Sequence, residues 1–422
     1  MRRALMRSNT RLLMSATMLY QALAMALLAF RGGGFHPQAA VLAAAMPAAT
    51  YLLCQLAGKA WPVDRAVLIL VLLLCSTGII TLSAIAKSES TPRMHALYAA
   101  AGLIAMLAGI VFIRSFRIWK RAEPLLAAVC VLALLSPWAI GRTLHGARNW
   151  IVIIPDRVTV QPSEFIKPVI VLVLAAGFSN HPRFVKCLVP ISFAALCCAI
   201  LLSERDLGAL LLYFLTTVLM YYAATSNALV TLAGLAMGCG AAVLACRLFP
   251  YVQDRVDIWR NPWSDPENTG YQLIQSLIAI GSGGLWGMGL GLGSPTKIPL
   301  YHSDFIFASM SEEFGLVFAV AILAIYVIII LRGLLISMHA RTSFHSLTAF
   351  GLVVLLGLQT MLIVGGNTKL LPLTGVTLPL VSYGGSSLMS TFFSMGMLLG
   401  ISSMNAEDEA RDIELIALRE EE

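Results

Sequence analysis

Apolar residues run along the chain in long blocks separated by short polar stretches. Twelve blocks approach the ~20 residues that cross a bilayer core as a helix. They lie near 11–30, 38–57, 66–86, 95–113, 124–141, 165–180, 185–203, 208–224, 227–249, 305–331, 343–365 and 381–402. The pattern predicts an all-α polytopic membrane protein with about twelve transmembrane helices, or ten if the extra N-terminal pair is miscounted. An even count puts both termini on one side. No small-residue cleavage site follows the first block, so it is expected to stay as an uncleaved helix.

Composition agrees. In 422 residues, 58% belong to the set AVILMFWYC and 12% are charged, against about 25% charged in soluble globular chains. So few charges cannot coat a water-facing surface, which excludes soluble enzymes, nucleic-acid-binding modules and disordered scaffolds. All eight cysteines sit inside apolar blocks, with no C-x-x-C spacing and no histidine at a metal-binding interval. They are read as small hydrophobes.

Charge gives a direction. With a cytoplasmic N-terminus, inside segments hold sixteen of the 29 Lys and Arg, including the cluster R-S-F-R-I-W-K-R at 114–121. That bias follows the positive-inside rule. Residues 405–422 hold eight acids and two basic residues, leaving 27 basic against 14 acidic groups in the body. Of those 14 acids, only Asp64 and Glu123 fall in cytoplasmic loops. The other carboxylates share the outer segments and spans with many cations, which points to chemistry on the outer face. Three regions follow: N-terminal helices at 1–141, a catalytic region at 142–403, and an acidic tail at 404–422.

The outer segment 250–304 is long enough to imply function. It contains an apolar piece, Y-Q-L-I-Q-S-L-I-A-I at 271–280, then a glycine-rich run. This reads as a short amphipathic or re-entrant helix followed by an irregular turn packed on protein. The G-M-G-L-G-L-G at 287–293 has neither the strand–helix context of a dinucleotide site nor a following G-K-[ST]. It is read as closely packed backbone.

Several side chains could carry chemistry. Asp304 opens the tenth span and is either a helix N-cap or a general base. Glu164 and Lys167, three residues apart, share a helix face and can pair. Glu312 and Glu313 should face protein or water. Arg142, Arg148, Arg157, Arg205, Lys297 and Lys369 are scattered over the outer loops. If the loops converge, these cations make a diphosphate clamp; if not, they are solvated or headgroup contacts.

Five motifs, in order, resemble the SEDS family, which includes the FtsW, RodA and SpoVE proteins. They are G-A-R-N-W-I (146–151), Q-P-S-E-F-I-K (161–167), the loop stretch 259–291, H-S-D-F-I-F-A-S-M-S-E-E-F-G (302–315) and L-P-L-T-G-V-T-L-P-L-V-S-Y-G-G-S-S (371–387). The resemblance covers roughly the last three-fifths of the chain. Two departures stand out. S-E-R-D-L-G at 203–208 replaces the family's Q-P-D-L-G, so Arg205 stands in place of a proline. Five spans also precede the G-A-x-x-W motif where the family has three.

The resemblance implies a peptidoglycan glycosyltransferase that polymerises lipid II, working with a class B penicillin-binding protein. By motif, Asp304 matches the family's essential acid, Glu164 and Lys167 its polar pair, and Trp150 the aromatic of G-A-x-x-W. The expected mechanism has Asp304 accept a proton from the acceptor sugar. Candidates for the departing diphosphate are Arg148, Trp150, Arg205, Lys297 and Lys369, with a divalent cation (Mg or Mn) as the possible cofactor. The expected location is the bacterial cytoplasmic membrane, with no nucleic-acid partner. Two other readings are open: a lipid II flippase, and a non-enzymatic scaffold whose tail docks a transpeptidase.

Overall fold

The computed structural model describes residues 2–31, 34–86, 88, 90–115, 123–144, 147–154, 158–179 and 184–420. In chain order the helices are α1 (Arg2–Ala29), α2 (Pro37–Ala60), α3 (Arg65–Ile85), α4 (Ser90–Ser115), α5 (Glu123–Ile140), α6 (Pro162–Ser179) and α7 (Phe184–Ser203). They continue with α8 (Leu207–Thr225), α9 (Ala228–Leu248), α10 (Pro250–Arg260), α11 (Tyr271–Gly283), α12 (Ile306–Met338), α13 (Ser343–Asn367) and α14 (Gly385–Glu420). Each of the twelve apolar blocks is one helix; α10 and α11 lie within the long segment between α9 and α12. Ten helices are long and apolar enough to cross a membrane, and α5 and α7 supply the shorter apolar stretches Pro124–Ile140 and Cys187–Ser203. The protein is an integral membrane protein.

The inner helices are apolar all round, as burial on every side requires. Seventeen of the 21 residues of α3 are buried, and α6, α13 and α14 pack about the same centre. At the periphery, α9 buries only Thr231. The α4–α14 contact rests on small residues. A Cβ on Gly396 would lie 2.0 Å from the Met106 carbonyl oxygen, and one on Gly400 2.4 Å from Ile113. This G-x-x-x-G spacing lets two backbones meet, the usual means of helix association in lipid. The tail continues α14 without a break and is tied by Arg114 to Glu407 at 2.9 Å and by Arg341 to Asp408 at 3.2 Å.

One element departs from the all-helical expectation. Strands β1 (Arg142–Leu144), β2 (Ala147–Ile154) and β3 (Val158–Val160) form a three-stranded antiparallel sheet in the order β1-β2-β3. Arg142 pairs with Trp150, and Ile151 with Val160. The run W-I-V-I-I followed by P-D and V-T-V is strand-forming sequence around a turn.

The glycine-rich run packs as irregular backbone against α12. Helix α12 breaks at Gly315, whose φ is +84°, a conformation suited to glycine. There the Leu316 and Val317 amides donate to the Gly284 and Leu285 carbonyls at 2.9 and 3.2 Å. In return, Glu313 accepts from the amides of Gly291 and Gly293, and Glu312 from that of Ser294 at 3.0 Å. The two buried carboxylates therefore serve as acceptors for loop amides, which explains their tolerance inside a spanning helix.

Candidate active site

Hydrogen bonds gather the α1–α2, α5–α6, α7–α8, α9–α12 and α13–α14 connections at one end of the bundle, the loop-rich face. Arg31 donates to Gly291, the Arg148 amide to Glu204, and Arg255 to Leu373. The 371–387 segment is the centrepiece. Pro372 and Pro379 prevent it from forming a helix, so its buried carbonyls and amides need other partners. The Gln359 amide donates to Thr377 O at 2.8 Å, Ser382 Oγ donates to Ser303 O at 2.7 Å, and the Tyr383 amide donates to His302 O at 2.9 Å.

These bonds fix the segment against Asp304. The N-cap of α12 is Phe305, which makes no side-chain cap hydrogen bond, and Asp304 immediately precedes it. Asn367 at the end of α13 donates to the Asp304 carbonyl at 2.8 Å and accepts from the Ala308 amide at 3.2 Å. The half-buried Asp304 carboxylate is roofed by Gly375, where an added Cβ would lie 3.6 Å from Oδ2. Facing it electrostatically is Arg255 of α10. Burial pushes the Arg255 guanidinium below its usual range, while the Asp304 and Asp206 carboxylates pull it back up. Its Nη1 donates to Leu373 O at 2.8 Å, which ties α10 to the 371–387 segment.

Asp206 organises the floor. One oxygen caps α8 through the Ala209 amide at 3.0 Å. The other accepts from Asn149 at 3.0 Å, Gln161 at 2.8 Å and Ser163 at 3.0 Å. Residues of the G-A-R-N-W-I, Q-P-S-E-F-I-K and S-E-R-D-L-G motifs thus meet on one carboxylate. Gly208 lets Thr374 and Val376 of the roof close onto α8, since a Cβ would come within 2.5 Å of Val376.

Beside it Glu204 is buried, and its Oε1 has no partner among the described residues. Burial first, and then the Asp206 charge, push its carboxyl up to about 8.

Glu164 and Lys167 pair deep in the bundle. Lys167 Nζ stands 2.7 Å from both Glu164 oxygens and 3.1 Å from Gln359 Oε1. Because Gln359 also holds Thr377, the ion pair reaches the roof through one side chain.

The other sequence candidates divide. Arg148, on the central strand β2, donates to Trp138 O at 2.9 Å and stacks on the Trp138 ring, and Trp150 two residues on is half-buried. Arg205 lies over the Tyr251 ring with its centre 5.3 Å away. Its φ is +63°, which a proline ring cannot adopt, so this turn differs from one built on Q-P-D-L-G. Lys369 is left-handed too, and its carbonyl accepts from Trp259 at 3.1 Å. Lys297 is exposed on a 3-10 turn whose next residue, Ile298, packs with Phe305. Arg157 lies outside the described residues, as does the side chain of Arg142.

Arg255 and Glu204 were not among the sequence candidates. Arg255 sits in a loop whose charges topology rules discount; its signal was W-R-N-P-W just downstream, marking an ordered element. Among the described residues no three His, Cys, Asp or Glu side chains converge as metal ligands.

The comparisons fit this geometry. Residues 63–407 match the family model FtsW/RodA/SpoVE, described as cell cycle protein. The chain is 36% identical over 324 residues to peptidoglycan glycosyltransferase RodA of Mycobacterium tuberculosis, spanning 73% of this chain and 65% of that protein. It is 33% identical over 360 residues to the probable peptidoglycan glycosyltransferase FtsW of Geobacter metallireducens, spanning 81% of this chain and 94% of that one. A solved structure described as structural coordination of polymerization and crosslinking by a peptidoglycan synthase complex superimposes with a TM-score of 0.70 at 26% identity, over 81% of this chain and 97% of that one. The match begins at α3, so α1 and α2 precede the shared region. The chain belongs to the FtsW/RodA/SpoVE family of cell cycle proteins.

Proposed function

We propose that the protein is a peptidoglycan glycosyltransferase that polymerises lipid II. The observation that carries this reading is the Asp304 carboxylate, accessible at the loop-rich face, roofed by Gly375 and faced by Arg255. Glycosyl transfer from a lipid diphosphate needs a base for the acceptor hydroxyl and positive charge for the departing diphosphate.

In the proposed step, the 4-hydroxyl oxygen of the acceptor lipid II attacks the anomeric carbon of the growing strand. Its proton passes to an Asp304 oxygen. The carbon–oxygen bond to the diphosphate breaks, and the diphosphate leaves with the electron pair, inverting the anomeric centre. Arg255, with Arg205 and Lys369 on neighbouring segments, supplies the positive field. The polar pair Glu164–Lys167 holds the roof through Gln359. A divalent cation, Mg or Mn, if bound, would add positive charge at the departing diphosphate.

By the positive-inside count, the loop-rich face lies outside the bacterial cytoplasmic membrane and both termini lie inside. A class B penicillin-binding protein is the proposed partner, which would crosslink the strand. This fits the pairing of polymerization and crosslinking named for the similar complex.

The test is polymerisation by the purified full chain in detergent with lipid II as sole substrate. Glycan strands support the enzyme. Absence of product from a folded preparation, with lipid II transport in vesicles, would favour the flippase. Loss of both, with retained binding to a transpeptidase, would favour the scaffold.

A further inference from the structure

A cleft of about 950 Å³ opens between the α1–α2 turn, α2, the end of α3 and the start of α4. It is distinct from the site around Asp304, and more than half of its lining residues belong to α1, α2 and the turn between them, which precede the family match. Its polarity is sorted by depth. Arg31, His36 and Arg93 line its loop-rich end, and Leu28, Val41 and Leu97 line it about one helical turn farther along; Leu28 is buried, while Val41 and Leu97 are open to the surrounding membrane. No Asp or Glu among the described residues lines it.

An apolar slot at membrane depth is not filled stably by water, because water needs two to four polar partners. Hydrocarbon fills it without loss. At the mouth, arginine offers the paired donors that suit phosphate oxygens. Arg31 also donates to the Ala84 and Gly291 carbonyls and lies within electrostatic reach of Glu313, so part of its charge is already used. Arg93 is exposed and makes no hydrogen bond or ion pair among the described residues. An amphipathic slot with a cationic rim matches a molecule with an anionic head and a long hydrocarbon chain. Its volume falls at the upper end of the range typical of ligand cavities.

We propose that this cleft is a second lipid site, holding a lipid with a phosphate or diphosphate headgroup between Arg31 and Arg93 and its chain along Leu28, Val41 and Leu97. Through Arg31 and Gly291 the occupied head adjoins the glycine-rich loop that packs on α12, the helix that begins just after Asp304. The site does not depend on the glycosyltransferase reading, because an integral membrane protein of any activity could hold such a lipid.

The experiment is native mass spectrometry of the delipidated full chain in detergent, titrated separately with undecaprenyl diphosphate, phosphatidylglycerol, phosphatidylcholine and inorganic pyrophosphate. At least one of the first two is expected to bind about tenfold better than phosphatidylcholine. Arg93→Gln should weaken that binding by about tenfold, and Arg93→Glu further. Preference for undecaprenyl diphosphate assigns the cleft to the substrate class of lipid, and preference for phosphatidylglycerol assigns it to a bilayer phospholipid. Equal binding of phosphatidylcholine, equal binding of chain-free pyrophosphate, or wild-type affinity in both Arg93 variants overturns the proposal. Because Arg93 is exposed and has no partner among the described residues, its variants should fold, and unchanged thermal unfolding without lipid checks this.

Discussion

Lys167→Met tests the buried ion pair. Lys167 Nζ makes three short contacts, 2.7 Å to each Glu164 oxygen and 3.1 Å to Gln359. The two side chains are 3% and 9% exposed, so neither ion can recover its loss from water. Removing the ammonium leaves a carboxylate with no counter-charge in an apolar bundle, which costs about 3–5 kcal/mol for a broken buried pair. That is more than a hundredfold in the folded-to-unfolded ratio. Glu164→Gln with Lys167→Met removes both charges and their desolvation together, so the double variant should be more stable than Lys167→Met by about 1–2 kcal/mol or more. The assay is denaturant unfolding in detergent micelles, followed by tryptophan fluorescence, on wild type, both single variants and the double. A Lys167→Met cost below about 0.5 kcal/mol, or a double variant as unstable as the sum of the singles, would refute the claim that these groups are desolvated and coupled.

Arg255→Gln should lower the polymerisation rate by about ten- to a hundredfold, the value of a charge-assisted contact, with melting temperature nearly unchanged. Glu204→Gln should flatten a pH dependence of stability. The folded state holds this carboxyl up to about 8, so its contribution is complete below the unfolded carboxyl value and declines as pH rises through 8; unfolding curves across that window read it. Gly315→Ala should cost at least about 1–2 kcal/mol for the left-handed backbone alone. Its Cβ would also lie 2.4 Å from the Gly287 amide nitrogen, so reduced yield of folded protein in detergent is expected.

The twelve apolar helices, ten of them long enough to span, were legible because bilayer thickness imposes long apolar blocks whose backbone must bond within itself. The strand-forming stretch around Trp150 was hidden by that same logic. It lies among loop residues where short runs of Ile and Val do not reach spanning length. The polar pair was readable from its three-residue spacing alone. The partner of Lys167 across the bundle, Gln359, was not, because nearly 200 residues of chain separate them. Glu312 and Glu313 were expected to face protein or water, but their partners, the amides of the glycine-rich run, appear only once that run folds back on α12. Arg255 was missed for a similar reason. Its importance lies in facing Asp304 and Asp206 from another helix, and nothing local announces that. Glu204 differs again: nothing in the sequence singles it out, and it is the left-handed bend at Arg205 that puts that guanidinium over Tyr251 while the glutamate is buried.

Asp304→Asn tests the central claim most directly. The variant keeps the side-chain shape and the backbone bond from Asn367 but cannot accept a proton. Purified, folded and incubated with lipid II in detergent, it should bind substrate and polymerise it about 10²–10⁴ times more slowly than wild type. Glycan strands formed at the wild-type rate would contradict the assignment of Asp304 as the base.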